Sequence, residues 1–150
     1  GNNESKLIFK NHPCDLGIRN WPVIIAQLAM KYGIDDRVYF IDGGVSLDKL
    51  LKNCSGLVTV NSTSGLRSLQ LGCPVKSLSS AIYSMPGLTF QGDLDDVWEK
   101  PIKPDQNNVA AFVNVIASKL HIRGLFFNEP GMSGGIRDFA DKLVSRNVGI

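Results

Sequence analysis

A strand-turn-helix-strand pattern in residues 56–75 constrains the fold of this chain more than any other stretch. Residues 56–60 are apolar and β-branched, which predicts a short buried strand, and residues 61–65 interrupt that run with small hydroxyl side chains. Leucines at helical spacing follow, and a glycine and a proline then predict the end of a helix before a second strand, residues 75–78. Units of this kind are typical of parallel α/β proteins.

The turn of this unit contains Ser62, Thr63, Ser64 and Gly65, and it lies at the carboxyl edge of the predicted sheet. Backbone N–H groups at a helix start and Ser/Thr hydroxyls favour an anion, and glycine lets a ligand approach the backbone closely. An ordinary helix cap is the competing interpretation, since serine and threonine are the usual capping residues. One hydroxyl is enough for a cap, so three in a row followed by glycine favour a phosphate-binding turn.

Familiar nucleotide and hydrolase motifs do not occur in a suitable frame. The sequence has no G-x-x-x-x-G-K-[ST], and no predicted strand-to-helix turn carries G-x-G-x-x-G or the G-x-S-x-G nucleophile elbow. The glycines of residues 129–135 lack a preceding strand, so we interpret that segment as a flexible linker. An ATPase, an NAD-binding protein and a serine hydrolase therefore have no motif support.

Composition predicts one globular domain, because 150 residues with 43% hydrophobic and 20% charged side chains can bury one adequate core. A formal net charge of +2 without a basic run argues against nucleic acid as a partner. The three cysteines, Cys14, Cys54 and Cys73, form no C-x-x-C pair, which argues against a disulfide framework or a metal site and favours a reducing compartment. No apolar stretch approaches the 18 residues of a membrane span.

His12 is the second candidate site residue. Residues 6–10 predict the first strand, and Pro13 ends it, so His12 lies on a turn at a strand's carboxyl end with Lys10 close by. An imidazole there can donate a hydrogen bond to phosphate or act as an acid or base. A histidine that only caps or packs in a loop is the alternative interpretation.

Tyr83, in an irregular loop, either stacks on a base or sugar or closes the core. The remaining pattern alternates strands with helices, which predicts an α/β fold with a mostly parallel sheet. If the first and third strands are neighbours, His12 and the turn of Ser62 meet in one pocket for an anionic, nucleotide-bearing ligand. The other predicted elements are helices at residues 21–32, 47–52, 93–99, 107–120 and 136–148, strands at 38–41 and 88–90, and an apolar segment at 121–127.

Six short motifs carry a resemblance to a known family: Lys10-Asn11-His12-Pro13, residues 58–65, 71–76, 81–83, 86–89 and 94–98. In this order, across about residues 6–100, the chain resembles the carboxyl-terminal half of the capsule polysaccharide biosynthesis and export family. Members of that family resemble GT-B glycosyltransferases and include β-Kdo transferases that use CMP-Kdo. The resemblance implies a Rossmann-like three-layer αβα domain, the carboxyl-terminal lobe of a GT-B fold.

The resemblance also implies roles for residues. His12 would be catalytic, and His12, Ser62, Thr63 and Ser64 would bind the phosphate of a CMP-sugar donor. The sequence pattern itself adds Lys10, Gly65 and Tyr83 to the expected donor-binding residues, with no metal and no permanently bound cofactor. The acceptor would be a lipid-linked glycan. A UDP-sugar GT-B enzyme or epimerase, and a non-catalytic module of the capsule export machinery, are the alternatives.

The expected organisation is a tag or linker remnant at residues 1–5, a nucleotide-sugar-binding core at 6–106 and carboxyl-terminal helices at 107–150. A GT-B enzyme needs two lobes, so the resemblance implies an amino-terminal lobe elsewhere in the protein and no turnover by these residues alone. The expected location is cytoplasmic, either free or peripheral on the inner face of the inner membrane.

Overall fold

The first half of the fold is a parallel strand pair joined by a helix. The structure is a computed structural model that describes residues 5–122, 124–125 and 127–147. β1 (Leu7–Lys10) pairs in parallel with β2 (Val38–Ile41), and α1 (Trp21–Lys31) lies between them in the chain. The helix begins where the Asn20 side chain accepts a 3.2 Å hydrogen bond from the Val23 backbone N–H. A short 3₁₀ turn precedes β2.

The second half repeats this arrangement. α2 (Leu47–Asn53) leads into β3 (Leu57–Thr59), which pairs in parallel with β4 (Val75–Ser77), and α3 (Thr63–Gln70) connects the two strands. The strand-turn-helix-strand unit predicted from the sequence is therefore present. The positive φ of Gly72, 74°, explains the turn that ends this connection, since glycine adopts that backbone conformation without strain.

The predicted α/β class and the parallel strand direction are confirmed, whereas the expected strand neighbours are not observed. The described residues form two separate two-stranded ladders, β1 with β2 and β3 with β4, and no ladder joins β1 to β3. These helices and short parallel pairs are compatible with a Rossmann-like αβα domain. Because the strands have only three or four residues, each ladder contains few hydrogen bonds and only three or four residue pairs.

The core lies around α3 and β4. Leu69 and Val75 are fully buried, and the polar Ser68 of α3 is buried as well. The segment after β4 contributes the large buried side chains of Tyr83, Leu88 and Phe90. Burial of this apolar surface is the main favourable term for this half of the fold.

The strand predicted at residues 88–90 is wrong. Those residues form turns, because Leu88 and Thr89 donate backbone hydrogen bonds back to Met85 at 3.2 and 3.1 Å. A single 2.8 Å bond from the Phe90 backbone to the Val75 carbonyl is the remaining link to β4. The short acidic helix is confirmed as α4 (Leu94–Val97).

The described residues divide between Asp105 and Gln106 into two compact regions. In the second region, α5 (Gln106–Val115) continues as one π-helical turn (Ile116–Leu120), in agreement with the predicted helix at 107–120. The last helix, α6 (Gly131–Asn147), starts five residues earlier than predicted.

The linker interpretation of residues 131–135 is therefore wrong. Glycine has a low helix propensity, but a local contact stabilises this helix start: the Glu129 carboxylate accepts hydrogen bonds from the Ser133 backbone N–H at 3.2 Å and from its hydroxyl at 2.6 Å. Gly135 also lies close to Gly124, because a Cβ atom on Gly135 would be 3.5 Å from the Gly124 Cα. Tertiary contact outweighs propensity at this helix start.

Parts of three predictions fall outside the described residues. They are residues 1–4 of the expected remnant, positions 123 and 126 of the apolar segment, and position 148 of the last helix. Of the helices that the structure describes, none combines the length and the apolar character needed to cross a bilayer.

Candidate functional site

The hydroxyl turn at the start of α3 is built around the side chain of Ser62. Its Oγ accepts a 3.2 Å hydrogen bond from the Ser64 backbone N–H and forms a 2.8 Å bond with the Ser64 hydroxyl. The Gly65 backbone N–H donates to the Ser62 carbonyl at 2.9 Å. Of the three hydroxyl residues that could cap the helix, Ser62 is thus the N-cap, and the cap uses two of the three.

Thr63 is left with open donors. Across the described ranges, neither its backbone N–H nor its hydroxyl has a hydrogen-bond partner, and the residue is exposed. It is the first residue of an eight-residue helix, where the positive end of the helix dipole attracts an anion. These donors, rather than those of Ser64, are available to a ligand.

Tyr83 lies directly beneath this turn. Its ring is only 3% exposed, its hydroxyl donates a 2.6 Å hydrogen bond to the Ser62 carbonyl, and burial raises the pKa of the hydroxyl. A Cβ atom on Gly65 would be 2.4 Å from the Tyr83 Cζ and hydroxyl oxygen, so glycine is what allows this close packing. The tyrosine therefore supports the turn from below, and stacking on a base would require its ring to become exposed.

The His12 turn is oriented by backbone contacts. The His12 Nδ1 accepts a 3.1 Å hydrogen bond from the Cys14 backbone N–H, and the His12 backbone N–H donates to the Asn11 side-chain oxygen at 3.0 Å. With Nδ1 acting as the acceptor, the ring proton is on Nε2. The exposed imidazole can thus donate one hydrogen bond from Nε2 to a ligand.

Asn11 and Asp42 join the carboxyl ends of β1 and β2. The Asn11 side-chain amide donates a 2.9 Å hydrogen bond to Asp42 Oδ1, and its backbone N–H donates to the Ile41 carbonyl at 2.9 Å. The half-buried Lys10 places its Nζ 3.5 Å from the Asn11 carbonyl. Neither Asn11 nor Asp42 was predicted as a site residue, although residues that follow two neighbouring parallel strands meet at one sheet edge.

A polar cavity of about 230 Å³ opens at this edge of β1 and β2. Its lining combines carboxylate, amide and guanidinium groups with one indole ring, and Arg19 also lies over that ring at 5.8 Å. The polar lining residues are Asn11, Asp15, Arg19, Asn20 and Asp42, and the indole belongs to Trp21.

The structure does not connect the two predicted parts of the site. Among the described residues, no hydrogen bond or ion pair joins the His12 turn to the hydroxyl turn, and neither Ser62 nor Tyr83 lines the polar cavity. Each turn is therefore a separate cluster: His12 with Asn11, and Thr63 with the Ser62 cap. A shared pocket between them stays a prediction.

The chain matches one protein family over most of its length. Residues 1–127 match the family described as capsule polysaccharide biosynthesis protein. This range includes both turns of the candidate site and the whole of the first compact region, which ends at Asp105. No solved structure matches the chain with significance.

Curated relatives come from two bacteria. The capsule polysaccharide export protein KpsS of Escherichia coli is 32% identical over 124 residues, which are 83% of this chain and 32% of that protein. The capsule polysaccharide modification protein LipB of Neisseria meningitidis serogroup A is 34% identical over 127 residues, which are 84% of this chain and 30% of that protein. The chain thus spans about one third of these relatives. It belongs to the capsule polysaccharide biosynthesis protein family.

Proposed function

We propose that Thr63 and His12 bind the nucleotide-sugar donor of a glycosyltransferase that acts in capsule polysaccharide assembly. The observation that carries the proposal is Thr63: an unpartnered backbone N–H and hydroxyl at a helix start, held in place by the Ser62 cap. A phosphate oxygen satisfies both donors and the helix dipole at once. The membership of the chain in a capsule biosynthesis family gives such a phosphate a source, an activated sugar.

In the proposed reaction His12 donates a hydrogen bond from Nε2 to the donor phosphate. As the bond between the sugar and the phosphate breaks, negative charge grows on the departing nucleotide. Fixed donors aimed at that charge lower the barrier, because they are already oriented when the charge develops. Thr63 and His12 would share this role only if both turns face one ligand, which the proposal requires.

The finer assignment is a CMP-linked donor, with Kdo as the sugar and a lipid-linked glycan as the acceptor. Because the chain spans about one third of its relatives, the acceptor contacts and a catalytic carboxylate would belong to the rest of the protein. We place this reaction in the cytoplasm, at the inner face of the inner membrane, where a lipid-linked acceptor would be reached.

A second candidate is a role in capsule export without catalysis. It is favoured by one specific observation, the description of the relative KpsS as an export protein. A module of this kind needs no nucleotide, so the open donors of Thr63 would have no ligand. Nucleotide binding therefore separates the two candidates.

Calorimetric titration of the full-length protein with CMP, UMP and AMP tests the proposal. We expect CMP to bind most tightly and Thr63→Ala to weaken the affinity for CMP by about tenfold, because hydrogen bonds to charged groups contribute about 1.5–3 kcal/mol. Ser46→Ala is the matched control, since Ser46 precedes α2 and its side chain makes no capping hydrogen bond.

Three outcomes would contradict the proposal. The first is a full-length protein that binds none of the nucleotides but still supports capsule export. The second is equal CMP affinity in the Thr63→Ala and Ser46→Ala variants. The third concerns His12 alone: a His12→Ala enzyme with wild-type transfer activity and CMP affinity would remove this residue from the site.

A further inference from the structure

Two cysteines that are far apart in the sequence lie in contact at the amino ends of β3 and β4. Cys54 directly follows α2, and Cys73 lies in the turn between α3 and β4. Because the two strands are parallel neighbours, the residues that lead into them come side by side. Their Sγ atoms are 3.1 Å apart.

The surroundings of the two thiols differ. Cys73 is buried, with 4% of its surface exposed, whereas Cys54 is only partly buried. The contact between the two sulfurs, in which either thiol can be the donor, lowers the pKa of Cys73 and raises that of Cys54. Ser68 also lowers the pKa of Cys73 through a side-chain hydrogen bond. The pair therefore favours one thiolate, at Cys73, beside one thiol.

The donor set of this cluster does not match a structural zinc site. Such a site needs four ligands, and in the part of the chain that the structure describes no group of three or more His, Cys, Asp and Glu side chains is clustered. Cys14, the third cysteine, is exposed and follows β1. Two thiols and no further ligand point to sulfur redox chemistry.

We propose that Cys54 and Cys73 are a reversible redox pair that hydrogen peroxide converts to an intramolecular disulfide. The Cys73 thiolate attacks one peroxide oxygen, the O–O bond breaks, and sulfenic acid and hydroxide form. The Cys54 thiol then attacks the sulfenic sulfur, which forms the S–S bond and releases the oxygen as water. The two cysteines together lose two electrons, and the peroxide accepts them.

The geometry allows this step with little movement. A disulfide needs the sulfurs at about 2.05 Å, so they must approach by about 1 Å from their present contact. Peroxide is close to water in size, and the partly exposed Cys54 leaves a side of the pair open to solvent. A larger oxidant, such as a glutathione disulfide, would be hindered at the buried Cys73.

The disulfide would fasten the amino ends of β3 and β4, opposite the hydroxyl turn that follows β3. It would close a loop of about 20 residues, which restricts the unfolded chain and raises the melting temperature by about 10 °C. The proposal is independent of nucleotide binding, because across the described ranges neither Cys54 nor Cys73 forms a hydrogen bond with Thr63 or His12.

Peptide mass mapping of the native chain after mild peroxide treatment tests the proposal. We expect a Cys54–Cys73 linked peptide, a fall in free thiols from three to one, a higher melting temperature, and full reversal by a dithiol reductant. Cys14→Ser is the matched control and should still form the link and gain the same stability. Cys54→Ser and Cys73→Ser should form no link and show no rise in melting temperature.

The mapping of the wild-type chain decides the matter even if a cysteine variant fails to fold. Free thiols at Cys54 and Cys73 after Cys14 has been oxidised would overturn the proposal. So would sulfinic acid at Cys73 without a linked peptide, because it would show that Cys54 does not reach the oxidised sulfur in time.

Discussion

The two strand-helix-strand units of residues 7–41 and 57–77 differ in how much of their apolar surface they bury. In the first unit the strand residues Leu7, Ile8 and Phe9 remain exposed, and an open cavity of about 500 Å³ lies between α1 and its strands. In the second unit Leu69 and Val75 are fully buried. Both units have the apolar periodicity expected of such elements, yet only the second has a filled core.

The segment that follows β4 accounts for the difference. Tyr83, Leu88 and Phe90 are buried there, and the Phe90 backbone bonds to Val75. No described segment of residues 7–41 contributes a comparable layer, since Ala29 is the only apolar side chain of that range which is buried. The spacing of apolar residues therefore specifies which face of a helix or strand turns inward. Whether that face is covered depends on another segment of the chain.

Replacing one leucine in each unit tests this comparison and should give the largest effect. Leu69→Ala should lower the free energy of unfolding by about 2–5 kcal/mol, because it leaves a cavity in a filled core. Leu28→Ala should lower it by only about 0.5 kcal/mol, because Leu28 is 48% exposed and already lines an open cavity. Urea unfolding of both variants gives the two values, and equal losses would show that the first unit is as well packed as the second.

Adding a methyl group at Gly65, where the hydroxyl turn contacts Tyr83, should give the next largest effect. Gly65→Ala should cost about 1–3 kcal/mol, since the new methyl group would be 2.4 Å from the Tyr83 ring. Gly56→Ala is the control, because its methyl group would meet only Pro74, at 3.5 Å or more. Thermal unfolding compares the two, and a tolerated Gly65→Ala would mean that Tyr83 does not pack against the turn.

Removing the hydroxyl of Tyr83, which packs against the second unit, or of Tyr39 in the first unit should have a smaller effect. Tyr83→Phe should cost about 1 kcal/mol through loss of the 2.6 Å bond to the Ser62 carbonyl, and Tyr39→Phe less, because its 3.3 Å bond to Asp36 is exposed. Since burial raises the folded pKa of Tyr83 above 10.0, its unfolded state releases the proton first as pH rises.

The stability that Tyr83 contributes should therefore be complete below pH 10 and be lost above it. Urea unfolding at pH 9 and pH 11 checks both expectations. A wild-type chain that loses no more stability between these two values than Tyr83→Phe does would indicate that the hydroxyl is open to solvent.

The sequence predicted local features well because their causes are local. The apolar, β-branched run at β3 predicted a strand, and the hydroxyl residues at positions 62–64 predicted the helix start that Ser62 caps. It could not predict the support of the turn, because Tyr83 meets Gly65 only after the chain has returned past β4. The contact of Cys54 with Cys73 likewise depends on strand pairing, and cysteine spacing carries no record of it.

The ion pair between Asp48 and Arg67 should have the smallest effect, and it tests whether burial alone distinguishes the second unit. Arg67 Nε donates to Asp48 Oδ1 at 2.9 Å, and this contact lowers the pKa of the Asp48 carboxyl. Exposed pairs of this kind are screened by water and salt, so Asp48→Asn should leave the melting temperature at pH 7 unchanged within error.

The sign of any residual effect follows from the lowered folded pKa. A contribution of the pair would be present above the unfolded pKa of Asp48, near 3.8, and would be lost as pH falls through the lower folded value. Melting curves of wild type and Asp48→Asn at pH 7 and pH 3 give the comparison. A large loss at pH 7 that disappears at pH 3 would mean that surface charge, and not only the layer of Tyr83, Leu88 and Phe90, separates the second unit from the first.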